Sequence, residues 1–168
     1  MALRQTPNFS LIKKPQGKLR FVESSFLNPE YGDLKLVIVP ITKNMKQPTT
    51  EKIYSQVVKR YGQVDIRSKE WFCLEKNYKP GSILDVACQS DTWVILAILK
   101  DKDGVPYRNP DPKKDGLTIA MDNLAKFAIY NTGTVHISNT VVSEYDGMDK
   151  LINDMLISQG INVNIYTK

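Results

Sequence analysis

The sequence predicts a three-layer α/β/α fold with a mixed, mostly parallel sheet between helices. Strand-like and helix-like patterns alternate along the chain. Two runs, Leu36-Val-Ile-Val-Pro-Ile-Thr42 and Thr92–Leu99, are apolar on both faces, the pattern of strands covered from both sides. The 168 residues, 42% apolar and 24% charged, suffice for a single core.

The elements follow in order. Leu19-Arg-Phe-Val-Glu-Ser24 reads as a short strand, and Tyr31-Gly-Asp-Leu34 turns the chain into the first apolar run. Thr49 or Thr50 is placed to cap a helix from Glu51 to Tyr61, in which Ile53, Val57 and Tyr61 recur every four residues and Gly62 is the stop. A second helix is expected over Ile66–Lys76, then a turn at Pro80-Gly81. Ile83–Cys88 and Thr92–Leu99 form two strands about the polar turn Gln89-Ser-Asp91. Three prolines make Lys100–Gly116 irregular, a functional or a mobile loop. Leu117, Met121, Leu124 and Ala128 share one face of a helix over Leu117–Tyr130, and a strand follows at Thr134–Ser138. Met148, Leu151, Ile152, Met155 and Leu156 mark a helix from Met148 to Ser158 with a core-facing stripe; Gly160 closes it and Ile161–Thr167 is the final strand.

Charge is uneven. The 23 Lys and Arg exceed the 18 Asp and Glu by five, and five bases (Arg4, Lys13, Lys14, Lys18 and Arg20) fall in the first twenty residues, ahead of the first acid, Glu23. The rest of the chain is neutral. Residues 1–17 are therefore read as a basic arm and 18–168 as the domain. Such an arm suits a nucleic-acid phosphate or an acidic protein surface; the plainer reading is a solubilising tail.

Other classes drop out. Two cysteines, Cys73 and Cys88, make no disulfide framework and point to a reducing, cytoplasmic setting, with both thiols buried and inert. No apolar run reaches membrane-spanning length, and Met1–Ser10 lacks a secretory apolar region. Glycine-rich nucleotide motifs, a nucleophile elbow and an HExxH zinc motif are absent, and the lone His136 reads as structural, so neither metal nor cofactor is expected.

In α/β sheets ligands bind beyond the carboxyl ends of the strands, here after Ile41, Leu99, Ser138 and Tyr166. Lys100 emerges there from an apolar strand, where desolvation favours a nucleophilic free amine. Glu144 and Asp146, in the loop after Ser138, are both candidate general acid/bases. The plain reading of Lys100 is a solvated loop residue. The loop after it alternates lysines with aspartates, and Tyr107 beside Arg108 is a candidate base-stacking pair.

Gly32-Asp33-Leu34, the helix Ile53–Gly62, Trp93-Val-Ile-Leu-Ala-Ile-Leu-Lys100, the helix Leu117–Ala128 and Val163-Asn-Ile-Tyr-Thr167 resemble, in order and spacing, strings of the macro domain family. The nearest subgroup is that of terminal ADP-ribose protein glycohydrolases and the antitoxins of DNA-ADP-ribosylating toxins, and the resemblance spans roughly residues 18–168. It implies a module binding ADP-ribose or a related nucleotide and an ADP-ribosyl glycohydrolase activity on a macromolecule. By the resemblance Gly32, Asp33 and Leu34 receive the adenine, Asp33 accepting from its amino group, with Tyr166 near the ring. Lys100 corresponds to the lysine that attacks the anomeric carbon and Asp146 to its partner aspartate, one residue out of register. Thr42 and Lys46, and Asn139 and Thr140, stand at the two phosphate-loop positions. Those loops are glycine-rich in the family, but Asn44–Thr50 has no glycine and Asn139–Asp146 carries β-branched residues and Glu144. Lys43, Lys46 and the helix start at Glu51 are left to replace the lost backbone nest. The alternative is a catalytically inactive macro-fold protein that binds nucleic acid or a protein partner through its basic arm.

Overall fold

The computed structural model describes residues 15–43, 48–72 and 79–168, with the side chains of 48–51 and 72 outside the description. Lys46, Cys73, most of the first phosphate-loop position and the arm residues Arg4, Lys13 and Lys14 lie outside the described residues.

Six strands form one sheet: β1 (Leu19–Val22), β2 (Lys35–Thr42), β3 (Ile83–Gln89), β4 (Thr92–Lys100), β5 (Thr134–Ser138) and β6 (Val163–Tyr166), in the spatial order β1-β6-β5-β2-β4-β3. β1, β6, β5, β2 and β4 are mutually parallel, and β3 runs antiparallel to β4 as the sheet's other edge. The central strands are the apolar runs: Leu36, Val37, Val39, Val94, Ile95, Leu96 and Ile98 are fully buried.

Helices cover both faces. α1 (Pro48–Arg60) and α2 (Gln63–Phe72) follow β2; α3 (Gly116–Asn131) precedes β5; α4 (Asn139–Glu144) and α5 (Met148–Met155) lead to a 3₁₀ turn, Ile157–Gln159, before β6. Phe127 of α3 packs on Trp93, which places α3 on the face of the sheet carrying Trp93 and Leu36. On the opposite face lies the β1–β2 loop, where Tyr61, next to the end of α1, donates to the Leu27 carbonyl (3.1 Å) and Tyr166 holds Glu30.

The predicted strands match to within two residues, and Thr134–Ser138 coincides with β5. Three helix boundaries differ. α1 starts at Pro48, so Thr49 and Thr50 lie inside its first turn instead of capping it; proline suits that turn because its missing N–H has no helical partner there. α2 begins at Gln63, three residues early. The last helix divides into α5 and the 3₁₀ turn, which ends at Gly160 with φ 84°.

One helix was not predicted. Residues 139–144, expected as a loop, are α4. Thr140, Val141 and Val142 have poor helix propensity, but the Ser138 hydroxyl caps the Thr140 N–H (3.2 Å) and Val141 is fully buried, so packing overrides propensity.

The irregular segment 101–115 is held by its own acids. Asp101 Oδ1 accepts the Asp103 and Val105 N–H groups, Asp111 accepts from Lys113, and Asp115 caps α3 by accepting from Thr118. No described helix is long and apolar enough to cross a membrane.

Candidate functional site

The carboxyl ends of the parallel strands converge on Lys100. It is the last residue of β4, only 4% exposed, and stands opposite Thr42 across a register shift in β2. Its carbonyl accepts the Lys43 N–H (2.9 Å), which ties the end of β2 to it. Lys100 Nζ pairs with Glu144 Oε1 and lies 5.7 Å from the centre of the Tyr145 ring. Glu144 is the last residue of α4, whose Ser138 cap leads out of β5. The helix that the β-branched run disguised therefore carries the carboxylate to the lysine.

Two buried hydroxyls accompany the pair. Thr42 Oγ1 and the Tyr145 hydroxyl have no hydrogen-bond partner among the described residues, although both side chains are at least 97% buried. Burial, reinforced by the charge of Glu144, pushes the Tyr145 phenol far above its ordinary pKa, so it stays protonated and able to donate. A primary amine next to a carboxylate can pass its proton across and attack as the free base.

Asp146 takes a different place from the one assigned to it. It lies in the exposed turn after α4, and its backbone carbonyl accepts from Arg108 Nη1 (2.6 Å). The carboxylate that meets Lys100 is Glu144, one of the two acids that the sequence offered. Arg108 also donates through Nε to Asp115 (2.9 Å), linking the 101–115 loop to that turn. Burial raises the pKa of Asp115, but hydrogen bonds from Thr118, Asn109 and Arg108 outweigh it and hold the carboxyl below its ordinary range. Asn139 and Thr140 form the exposed first turn of α4, at the same end of the sheet as Lys100.

Gly32, Asp33 and Leu34 stand at the other end. They precede β2, so they enter at its amino end, and the eight residues of β2, at about 3.3 Å each, separate them from the Lys100 end. The expectation that these residues share one cleft with Lys100 is corrected by strand direction: in a parallel sheet, a residue before one strand and a residue ending its neighbour lie at opposite edges. Gly32 and Asp33 instead line a cavity of ≈ 430 Å³ with Thr132, Thr134, Gly160 and Asn162.

Tyr166 is also corrected, from ligand neighbour to core residue. It is 1% exposed, and its hydroxyl accepts the Glu30 N–H (2.8 Å), donates to the Glu30 carbonyl (3.0 Å) and lies 2.7 Å from His136 Nδ1. With the phenolic proton given to Glu30, Nδ1–H of His136 is the donor in the last contact. Burial, with a smaller effect of the Lys35 charge, pushes His136 down to about 4, so the ring is neutral. His136 is thus structural, as its place in the sequence suggested.

Lys18 and Arg20 are exposed at the amino end of β1, with the Arg20 guanidinium 4.2 Å above the Tyr31 ring. Burial pushes the half-buried Cys88 thiol up to about 11, so it is a poor nucleophile. Among the described residues no three His, Cys, Asp or Glu side chains come together to hold a metal ion. Sequence reasoning missed Tyr145 altogether; an aromatic directly after a candidate acid was the available signal.

No family model and no curated protein matches the sequence. Solved structures do resemble the fold. A macrodomain protein from Streptomyces coelicolor superposes with a TM-score of 0.71 at 16% identity, over 90% of this chain and 99% of that one. The macrodomain of Mycobacterium tuberculosis DarG gives 0.58 at 12% identity, and that of Thermus aquaticus DarG gives 0.57 at 12%, each covering 90% of this chain and 99% of the other. At such identities the likeness is one of architecture, and the architecture of this chain is the macro-domain fold.

Proposed function

We propose that the chain binds ADP-ribose or a related nucleotide at the carboxyl ends of β2, β4 and β5, and removes ADP-ribose from a macromolecule through Lys100. The observation that carries this reading is a lysine 4% exposed at the end of a parallel strand and ion-paired with Glu144, in a fold shared with macrodomains. Lys100 gives a proton to Glu144, and the free amine attacks the anomeric carbon. The bond from that carbon to the macromolecule breaks, and the leaving group takes the proton from Glu144. Water then releases the sugar and restores the amine. Glu144 replaces Asp146 as the proton carrier in this scheme. Its charge, which would repel a diphosphate, is offset by the lysine.

Calorimetric titration with ADP-ribose should give micromolar binding, and turnover of ADP-ribosylated DNA or protein should fall at least about a thousandfold in Lys100→Met. Methionine keeps the side-chain volume, so circular dichroism should be unchanged. Full activity in a folded Lys100→Met protein would overturn the catalytic assignment, and no heat at millimolar ADP-ribose would overturn the binding site.

A further inference from the structure

The amino end of the sheet holds a feature that the proposed reaction does not use. One residue before the β1–β6 and β5–β6 pairings, Lys18, Asn162 and Thr134 fall in a row, fixed by Lys18 N–H donating to Asn162 Oδ1 (2.9 Å) and Val135 N–H donating to the Asn162 carbonyl (2.9 Å). Two residues further along, Arg20 pairs with Asn164. Alternate residues of a strand share a face, so Lys18, Arg20, Asn162, Asn164 and Thr134 project to the same side. With Tyr31 they line a cavity of ≈ 290 Å³, which shares Gly32, Thr134 and Asn162 with the neighbouring cavity of ≈ 430 Å³.

The chemistry of the smaller cavity is one-sided. Among the described residues it is lined by two cations and two amides, and by no acid. Among the described residues neither Lys18 nor Arg20 forms an ion pair, unlike Lys35, Lys69, Lys100, Arg108, Lys126 and Lys150. Arg20 is nonetheless held in place by the Tyr31 ring beneath it. Tyr31 itself has φ 71°, unusual for a non-glycine residue, and is fixed by its neighbour: the Glu30 N–H donates to the Tyr166 hydroxyl, and the Glu30 carbonyl accepts from that hydroxyl and from Asn164 Nδ2 (3.2 Å). The Oδ1 of Asn162 is taken up by Lys18, leaving its NH₂ group as a donor. A preset guanidinium, an ammonium and an amide without a competing carboxylate match a phosphate monoester. The larger cavity contains Asp33 and the carboxyl end of α3 at Thr132, which favour hydrogen-bond donors. Its volume falls in the usual range for small-molecule sites.

We infer that the amino end of the sheet is a second ligand site, which takes the phosphate of a small phosphorylated molecule between Lys18 and Arg20 and its organic body beside Asp33. The site stands on its own residues and does not depend on catalysis at Lys100.

The test uses the full ¹⁵N-labelled chain titrated with AMP, adenosine and inorganic phosphate, following backbone amide shifts. AMP and phosphate should move the amides of Arg20, Gly32 and Asn164, AMP at least about tenfold more tightly, and adenosine should leave them in place. Affinity should weaken with salt. Arg20→Ala and Lys18→Gln change exposed side chains and should fold; each should lower AMP affinity at these amides about tenfold, with shifts near Lys100 unaffected. AMP shifts confined to the Lys100 end, equal binding of adenosine, or an affinity unchanged in both variants would each overturn the assignment.

Discussion

The two ends of the parallel strands hold similar side chains in different solvents. At the carboxyl end, Lys100 is 4% exposed and its charge is matched by Glu144 on a helix held by the Ser138 cap and the burial of Val141. At the amino end, Lys18 and Arg20 are exposed, matched by no carboxylate among the described residues, and Arg20 is oriented only by an aromatic ring. Between them lies the buried His136–Tyr166 pair, which fastens the β1–β2 loop to the sheet. A charge removed from water makes the fold depend on its partner, whereas a charge left in water is nearly neutral for stability and available to a ligand. Sensitivity to mutation should therefore fall from the interior and the carboxyl end toward the amino end.

The largest effect is expected at His136. Its pKa is about 4 in the fold, against about 6.5 in an unfolded chain, so the unfolded state takes up a proton first as the pH drops. The stabilisation is complete above about pH 6.5 and is lost between there and pH 4, amounting to about 3 kcal/mol. Urea unfolding across that range should show the loss, and His136→Gln should flatten it. Next comes Glu144→Ala, which removes the carboxylate paired with the Lys100 ammonium. Because the Glu144 side chain is 30% exposed, the cost should be about 2 kcal/mol, below that of breaking a fully buried pair. Lys100→Met, which removes the charge itself, should cost less in the same denaturation assay; the reverse order would show that packing, not charge, governs this end. Tyr166→Phe deprives Glu30 and His136 of their shared hydroxyl and should cost about 1.5 kcal/mol by thermal unfolding. Smallest of all, Arg20→Ala should change stability by no more than about 0.5 kcal/mol, and a larger loss would mean that its contact with Tyr31 props up the loop.

Much of this arrangement is legible in the residues. Continuous apolar runs marked β2 and β4 as central strands, because only a strand covered on both faces tolerates them. Lys100 was conspicuous as a charge ending such a run. Its partner was harder to see, since the choice between Glu144 and Asp146 turns on whether 139–144 is helical. Thr140, Val141 and Val142 argue locally against a helix; the burial of Val141, a tertiary fact, decides otherwise. Gly32-Asp33-Leu34 misled for another reason. A three-residue string does not say which end of the next strand it will meet, and the approach through the long β1–β2 loop put it at the amino end. The row of Lys18, Asn162 and Thr134 could not be found by pattern at all, because it joins three segments by register.

The strand order also has a consequence for how the chain is made. β1, the first described strand, pairs only with β6, the last, and the two are about 140 residues apart in sequence. During synthesis β1 must wait unpaired while β2, β3, β4 and β5 assemble, and it is seated only when Val163–Tyr166 leave the ribosome. Gly17 completes that closure: its N–H donates to the Ile157 carbonyl, and a Cβ there would lie 2.0 Å from the Ile161 carbonyl oxygen. A larger residue at position 17 would clash with that carbonyl and unseat β1, leaving the β6 edge that it covers open to pairing with another chain.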